Sequence, residues 1–286
     1  MLKSIILITL WVGYIPFLSA QELFKEAEAQ NNIVNTEINE ASGLAVSIGR
    51  PNLIWTHNDS GDKARIFLIN ENAESIAEYH LKGVKNRDWE DIATGPGPDE
   101  GKPYIYVGEI GDNRAIYDTK IIYRFEEPSA SSALEISNFE TIEYVYPDGK
   151  RDAESLFIDP LSKDIYILSK REDNIGIYVA TYPQSTTEII TLQKLGIIPY
   201  RLTVAADITA DGEEILLKTY NDIYYWKRNN RSISDTLSSV PTKVTYKVEP
   251  QGESIAWKKD GSGFFTLSEQ RSKDMPILYF YAKQQK

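Results

Sequence analysis

An all-β, five-bladed β-propeller is the fold class that this sequence of 286 residues predicts, and three observations point to it. A short phrase returns five times, as ASGLA, WEDIA, AESLF, AADIT and GESIA, each setting small or acidic residues ahead of an aliphatic anchor. The anchors Leu44, Ile92, Leu156, Ile208 and Ile255 stand 48, 64, 52 and 47 residues apart, a period in the range of propeller blades. Each copy opens a series of strand-like runs separated by Gly, Asn, Asp and Pro. The last copy is one strand short and an isolated strand-like run precedes the first, so the two ends of the chain can complete one blade together.

The first repeat predicts strands over 42–47, 53–57, 64–70 and 75–81. The second predicts 89–94, 104–109, 120–125 and 140–146, with a Ser- and Ala-rich insertion over 128–133 that accounts for the 64-residue spacing. The third predicts 153–158, 164–170, 176–182 and 188–195, and the fourth 204–209, 214–220, 222–227 and 243–248. The fifth offers 253–257, 263–268 and 276–282, and the run over 33–38 is expected to supply its missing outer strand. Twenty strands in five blades favour five over the alternative of six, and ring closure removes exposed sheet edges. A sandwich or open meander would not need such even spacing. The tyrosines, among them Tyr104, Tyr106, Tyr166, Tyr178, Tyr224 and Tyr225, alternate along strands as packing residues.

Lys3, an apolar run from Ile5 to Leu18 and Ser19-Ala20 before Gln21 read as a signal peptide over 1–20. That run is too short for a membrane span. Residues 21–32 form a polar leader with the composition of a short helix, and 33–286 a single propeller domain. The absence of cysteine excludes a lipobox thiol, a disulfide framework and a thiolate metal site. A secreted or periplasmic protein is expected, monomeric and not inserted in a membrane. The net charge of −11 argues against a nucleic-acid polymer as partner.

Two residues before each anchor stand Ser42, Glu90, Glu154, Ala206 and Glu253. First strands line a propeller's central channel, so these positions face one another across it. Three carboxylates brought that close repel unless some protonate or a cation neutralises them. A hard divalent ion suits the set, and calcium, with its loose shell of oxygens, suits it best. Zinc fits less well, with two separated histidines and no cysteine. The alternative is that these acids only solvate a wet channel.

Loops after second strands share the channel face and gather basic residues, a fitting surface for a phosphate ester. Arg87, Arg114, Arg151, Lys170, Arg171, Lys218 and Arg271 are the candidate substrate-binding residues, against the alternative of ordinary solvated loop tips. His57 in WTHNDSGD and Glu109 in GEIGDNR are the candidate catalytic groups, although a lone histidine in such a turn commonly serves only as a loop hydrogen-bonder. Asp59, Asp62, Asp112 and Asn113 suit turns, the alternative being that an Asp with Glu109 binds a second cation, although neither segment fits the twelve-residue calcium loop pattern. No GxSxG, GxxxxGK[ST], HExxH or dinucleotide fingerprint occurs.

The order Ser42, Glu90, Glu154, small residue, Glu253, one per blade, resembles the calcium-activated nucleotidases (apyrases), which are secreted five-bladed propellers. The phrases ASGLA, DWEDIA, DAESLF and GESIA are also similar to the secreted bacterial propellers described as phytase-like. The first resemblance implies calcium bound by Ser42, Glu90, Glu154 and Glu253. It departs at Ala206, where the apyrases carry Ser; Asp207 stands beside it, although strand alternation turns it to the other side. Together the resemblances imply an exported phosphoester hydrolase acting on a small phosphorylated anion of nucleotide or inositol-phosphate type. A non-catalytic module recognising glycan or protein is the alternative, and a glycosidase a further one.

Overall fold

The computed structural model describes residues 23–130 and 132–284, so the signal peptide expected over 1–20 lies outside the described residues. Runs of β-branched and aromatic residues, cut by turn formers, give strands throughout. After β1 (Glu28–Asn32), the first blade comprises β2 (Ala41–Val46), β3 (Leu53–Asn58), β4 (Lys63–Asn70) and β5 (Ser75–Lys85). The second comprises β6 (Trp89–Pro96), β7 (Pro103–Glu109), β8 (Lys120–Glu126) and, past the short β9 (Glu135–Ile136), β10 (Glu140–Val145). The third holds β11 (Ala153–Ile158), β12 (Ile165–Ser169), β13 (Ile175–Ala180) and, past β14 (Ile190–Thr191), β15 (Gln193–Ile198). The fourth holds β16 (Thr203–Ile208), β17 (Glu214–Thr219), β18 (Ile223–Lys227) and, past α1 (Ile233–Leu237), β19 (Thr242–Val244). The last is β20 (Gly252–Trp257), β21 (Gly263–Ser268) and β22 (Ile277–Ala282).

Within each blade consecutive strands pair antiparallel, and the first strand of each lies at the axis. Tight hairpins join first to second strands; Gly212 (φ 74°) and Gly261 (φ 70°) adopt the left-handed conformation that a side chain disfavours. The hydrophobic core is divided into five clusters, each filling one wedge between neighbouring blades. The wedge between the first and last blades is as fully packed as the others, with Ile54 and Phe67 meeting Phe265 and Leu267. The ring is therefore closed.

Closure is made by a strand of the N-terminal segment, but not by 33–38. The closing strand is β1, which pairs antiparallel with β22 from Glu28 opposite Phe280 to Asn32 opposite Ile277. The polar leader is thus a strand and not a helix. An outer edge strand faces solvent, so a polar sequence suits it, whereas apolar Ile33 and Ile38 leave the sheet and are buried between the last and first blades. Phe24 goes further in, packed edge-on to Phe264 at 5.0 Å and against Trp257 and Tyr225 between the last two blades.

The insertions act as clasps on the preceding blade. β9 adds in parallel to β5, β14 adds in parallel to β10, and α1 packs against β15. No helix among the described residues is long and apolar enough to cross a membrane.

All five axial strands carry the same irregularity. A bulge leaves one residue without a cross-strand partner, and those residues are Ser42, Glu90, Glu154, Val204 and Glu253. The fourth repeat is therefore registered two residues earlier than its AADIT phrase suggests: Val204 takes the place expected of Ala206, and Ala206 takes the anchor place expected of Ile208. A shift of two preserves which face each residue occupies, so the alternating pattern could not reveal it.

Because Phe24 is buried against three aromatic rings, Phe24→Ala is expected to cost about 3–5 kcal/mol, the range for large-to-small substitution of a buried aromatic. Denaturant unfolding followed by tryptophan fluorescence checks this. A loss well under 1 kcal/mol would mean that the leader contributes nothing to the fold.

Candidate functional site: an acidic channel mouth

A bulge re-aims the side chain it carries, and here five of them turn into one end of the channel. Ser42, Glu90, Glu154, Val204 and Glu253 are all at most 5% exposed. Two further sets join them. Two residues earlier in each blade stand Glu40, Asp88, Asp152, Leu202 and Gln251; just after each second strand stand Asp59, Ile110, Lys170, Tyr220 and Glu269. Blade four supplies Leu202, Val204 and Tyr220, so the mouth is acidic on the other four sides and apolar on this one.

Carboxylate oxygens of Asp59, Asp88 and Glu90 lie within 4.8 Å of one another, and so do those of Glu90, Asp152 and Glu154. The second group is already neutralised. Lys170 Nζ forms a buried ion pair with Glu154, and Arg171 Nε pairs with Asp152 at 2.6 Å. Lys170 also donates to the Tyr220 hydroxyl at 2.9 Å, which in turn donates to Glu253 Oε1 at 2.6 Å. Gln251 Nε2 donates to that same oxygen at 2.8 Å, and Ser42 Oγ donates to the Glu90 carbonyl oxygen at 2.8 Å. Among the described residues, no basic side chain forms an ion pair with Asp59, Asp88 or Glu90.

Gly111 makes this acidic side possible. A Cβ there would stand 2.2 Å from Glu90 Oε1 and 2.6 Å from Asp88 Oδ2, so any side chain would drive both carboxylates from their places. Burial, then Asp59 and Asp152, push Asp88 up to about 6. Burial, then Glu154 and Asp59, raise Glu90 well above the usual carboxylate range, and burial first of all raises Asp59. Burial opposes the charge on Lys170, yet Glu154 and Glu90 outweigh it and hold the ammonium protonated. Burial, then a hydrogen bond with Glu253, lift Glu269 to about 9.

The fold is a five-bladed β-propeller. No family model matches this chain, and no curated protein does. Among solved structures it is similar to one titled "Structure of Dos1 propeller", at 13% identity and a TM-score of 0.39, over 85% of this chain and 60% of that one. This propeller thus spans 60% of the length of that chain. The blade count rests on the strand pairing above.

The candidate substrate-binding residues separate by environment. Arg151 pairs with Asp148 at 2.7 Å and Glu172 at 2.5 Å, and Arg271 with Glu269 at 2.7 Å. Arg87 lies over the Tyr117 ring with Nε 3.4 Å from Glu109, and Arg114 is exposed. Lys218 is fully buried under Tyr246, donating to the Gly252 and Thr219 carbonyls, and burial lowers its pKa to about 8. It does not reach the surface.

Of the candidate catalytic groups, His57 is wholly buried, edge-on to Trp89, with Nδ1 2.9 Å from the Asn58 carbonyl, and burial lowers its pKa to about 4. Glu109 accepts from Tyr123 at 3.3 Å and is raised by burial. Asp207 does not replace the missing fourth-blade carboxylate. Its oxygens accept from Ile208 N at 2.8 Å and Trp257 N at 2.7 Å, stapling blade four to blade five.

Sequence reasoning missed Asp88 and Asp152, although a signal was present: each stands two residues before a channel glutamate in a repeated D-x-E, and residues two apart on a strand share a face. The roles of Gly111 and Tyr220 have no local signature.

Two expectations follow. Asp88 titrates near 3.9 when unfolded and about 6 when folded, so its stabilising contribution is complete below the first value and lost as pH rises through the second. With chelator present, the melting temperature should fall between about pH 4 and 6, and Asp88→Asn should flatten that fall; a rise insensitive to the substitution would contradict it. Lys170→Met strands a buried carboxylate and should cost about 3–5 kcal/mol, with Glu154→Gln in the same chain restoring part of the loss.

Proposed function

We propose that this is an exported calcium-binding propeller in which Asp59, Asp88 and Glu90 hold the ion, and that the acidic loop face acts as a binding module and not as a phosphoester hydrolase. The observation that carries this reading is a trio of carboxylates with no basic partner, Glu90 buried and Asp59 and Asp88 half-buried, two of which, Asp88 and Glu90, border the space that Gly111 leaves. Their donor chemistry, all carboxylate oxygen, is that of a hard divalent cation. The wider set of Ser42, Glu90, Glu154 and Glu253 fits an ion less well, because Lys170 holds Glu154 while Tyr220 and Gln251 hold Glu253. Glu90 belongs to both sets. A bound ion would neutralise the acidic side as Lys170 neutralises the other, stiffening the loops that begin at Asp59 and Gly111. Export rests on the N-terminal apolar run alone.

Support for hydrolysis is weaker. Of the basic residues expected to grip a phosphate, Arg151, Lys170, Arg171 and Arg271 are committed to carboxylates and Lys218 is buried. A phosphate would have to break those pairs. Support for glycoside hydrolysis is weaker too, since Glu253 and Glu269 share a hydrogen bond and that chemistry needs carboxyls at least about 5 Å apart.

Isothermal titration of the chelator-stripped protein with calcium tests the reading. One ion should bind, with affinity at least tenfold weaker in Glu90→Gln and in Gly111→Ala and little changed in Glu253→Gln. No calcium binding, or loss confined to Glu253→Gln, would overturn it. Phosphate release from a nucleotide and phytate panel at high protein concentration would overturn the non-catalytic part alone.

A further inference from the structure

The far end of the channel has the opposite chemistry. Four residues beyond the bulge, the register brings Val46, Thr94, Ile158, Ile208 and Trp257 to equivalent positions, and all five line one cavity of about 320 Å³. Two residues further on, Ile48, Pro96, Pro160, Ala210 and Lys259 line it as well. Two stacked rings of five therefore form a pocket whose inner ring is almost wholly apolar and whose outer ring opens to solvent. At the rise of an extended strand this pocket begins roughly 13 Å from the acidic residues, so it does not depend on the cation site.

One residue of the ten carries a charge; Asp207 also lines the cavity, but its two oxygens are spent on the Ile208 and Trp257 amides. The other lysines at the rim are compensated, Lys102 by Asp99 and Glu126 and Lys258 by Glu71. Lys259 reaches from the last blade to the first and donates to the Ile48 carbonyl, a neutral acceptor, and no carboxylate of the described residues forms an ion pair with it. Its charge stands uncompensated at the mouth of an apolar cavity. The volume is at the small end of the range for small-molecule sites, which are typically apolar with few polar anchors.

We infer that this pocket binds a small amphiphilic anion, its apolar body within the Val46, Ile158, Ile208 and Trp257 ring and its single anionic group on Lys259. The apolar walls exclude a sugar or nucleotide, whose hydroxyls would lose their hydrogen bonds there. The lysine favours a carboxylate over a neutral or cationic amphiphile of equal size. Thr94, whose hydroxyl donates to the Val46 carbonyl at 2.9 Å, is spent within the wall.

The test uses fluorescence of 8-anilinonaphthalene-1-sulfonate with the intact protein, and its displacement by octanoate, octanol and octylamine. Saturable one-site binding is expected, displaced by octanoate roughly tenfold better than by octanol and least by octylamine. Lys259→Met should remove the preference for octanoate, and Ala210→Trp, at an exposed position on the rim, should block both probe and octanoate while leaving the melting temperature unchanged. No saturable binding at millimolar octanoate, equal displacement by all three amphiphiles, or binding undisturbed by Ala210→Trp would each overturn the inference.

Discussion

Carboxyl groups from four blades occupy one desolvated space at the axis, and a tethered ammonium makes that arrangement tolerable. Lys170 is drawn in from the end of a second strand, pairs with Glu154, and passes its influence through Tyr220 to Glu253. Without it, two glutamates would face each other in a region where charge is costly. The chain therefore supplies, from its own backbone, part of what a metal ion would otherwise provide. Lys170 forms its ion pair with Glu154 and none with the neighbouring group of Asp59, Asp88 and Glu90, although its charge is felt by Glu90, and the asymmetry of the mouth follows from that division.

The same five strands produce two unlike ends. Near their starts, bulges turn polar side chains inward; near their ends, equivalent positions are filled by Val, Ile, Thr and Trp. Between them the chain locks blades together with buried polar staples, Asp91 on the Leu156 amide and Asp207 on the Trp257 amide. Those carboxylates are structural, and Asp207 forms part of the wall of the otherwise apolar pocket at the far end of the channel.

Much of this was legible in the sequence, because repetition is a strong signal. Five phrases at near-equal spacing specified the blade count, the axial strands and the convergence of Glu90, Glu154 and Glu253. What was not legible has physical reasons. The closing strand is polar, so apolar Ile33 and Ile38 drew attention to the wrong segment. Blade four has alanine where others carry Leu or Ile at the anchor, so its register slid by two to Ile208. Asp88 and Asp152 lie one step outside the repeated phrase. The pairing of Lys170 with Glu154 depends on how blades are set against each other, which a one-dimensional pattern does not contain. His57 and Lys218, at equivalent positions opposite Gly43 and Ala205, look reactive in the sequence and are sealed inside the structure.

The most direct test of this division of labour is a crystal structure of the calcium-soaked protein with data collected where calcium scatters anomalously. The account predicts one anomalous peak bounded by Asp59, Asp88 and Glu90, with Lys170 still on Glu154. A peak between Glu154 and Glu253 with Lys170 swung away, or no peak at saturating calcium, would contradict it.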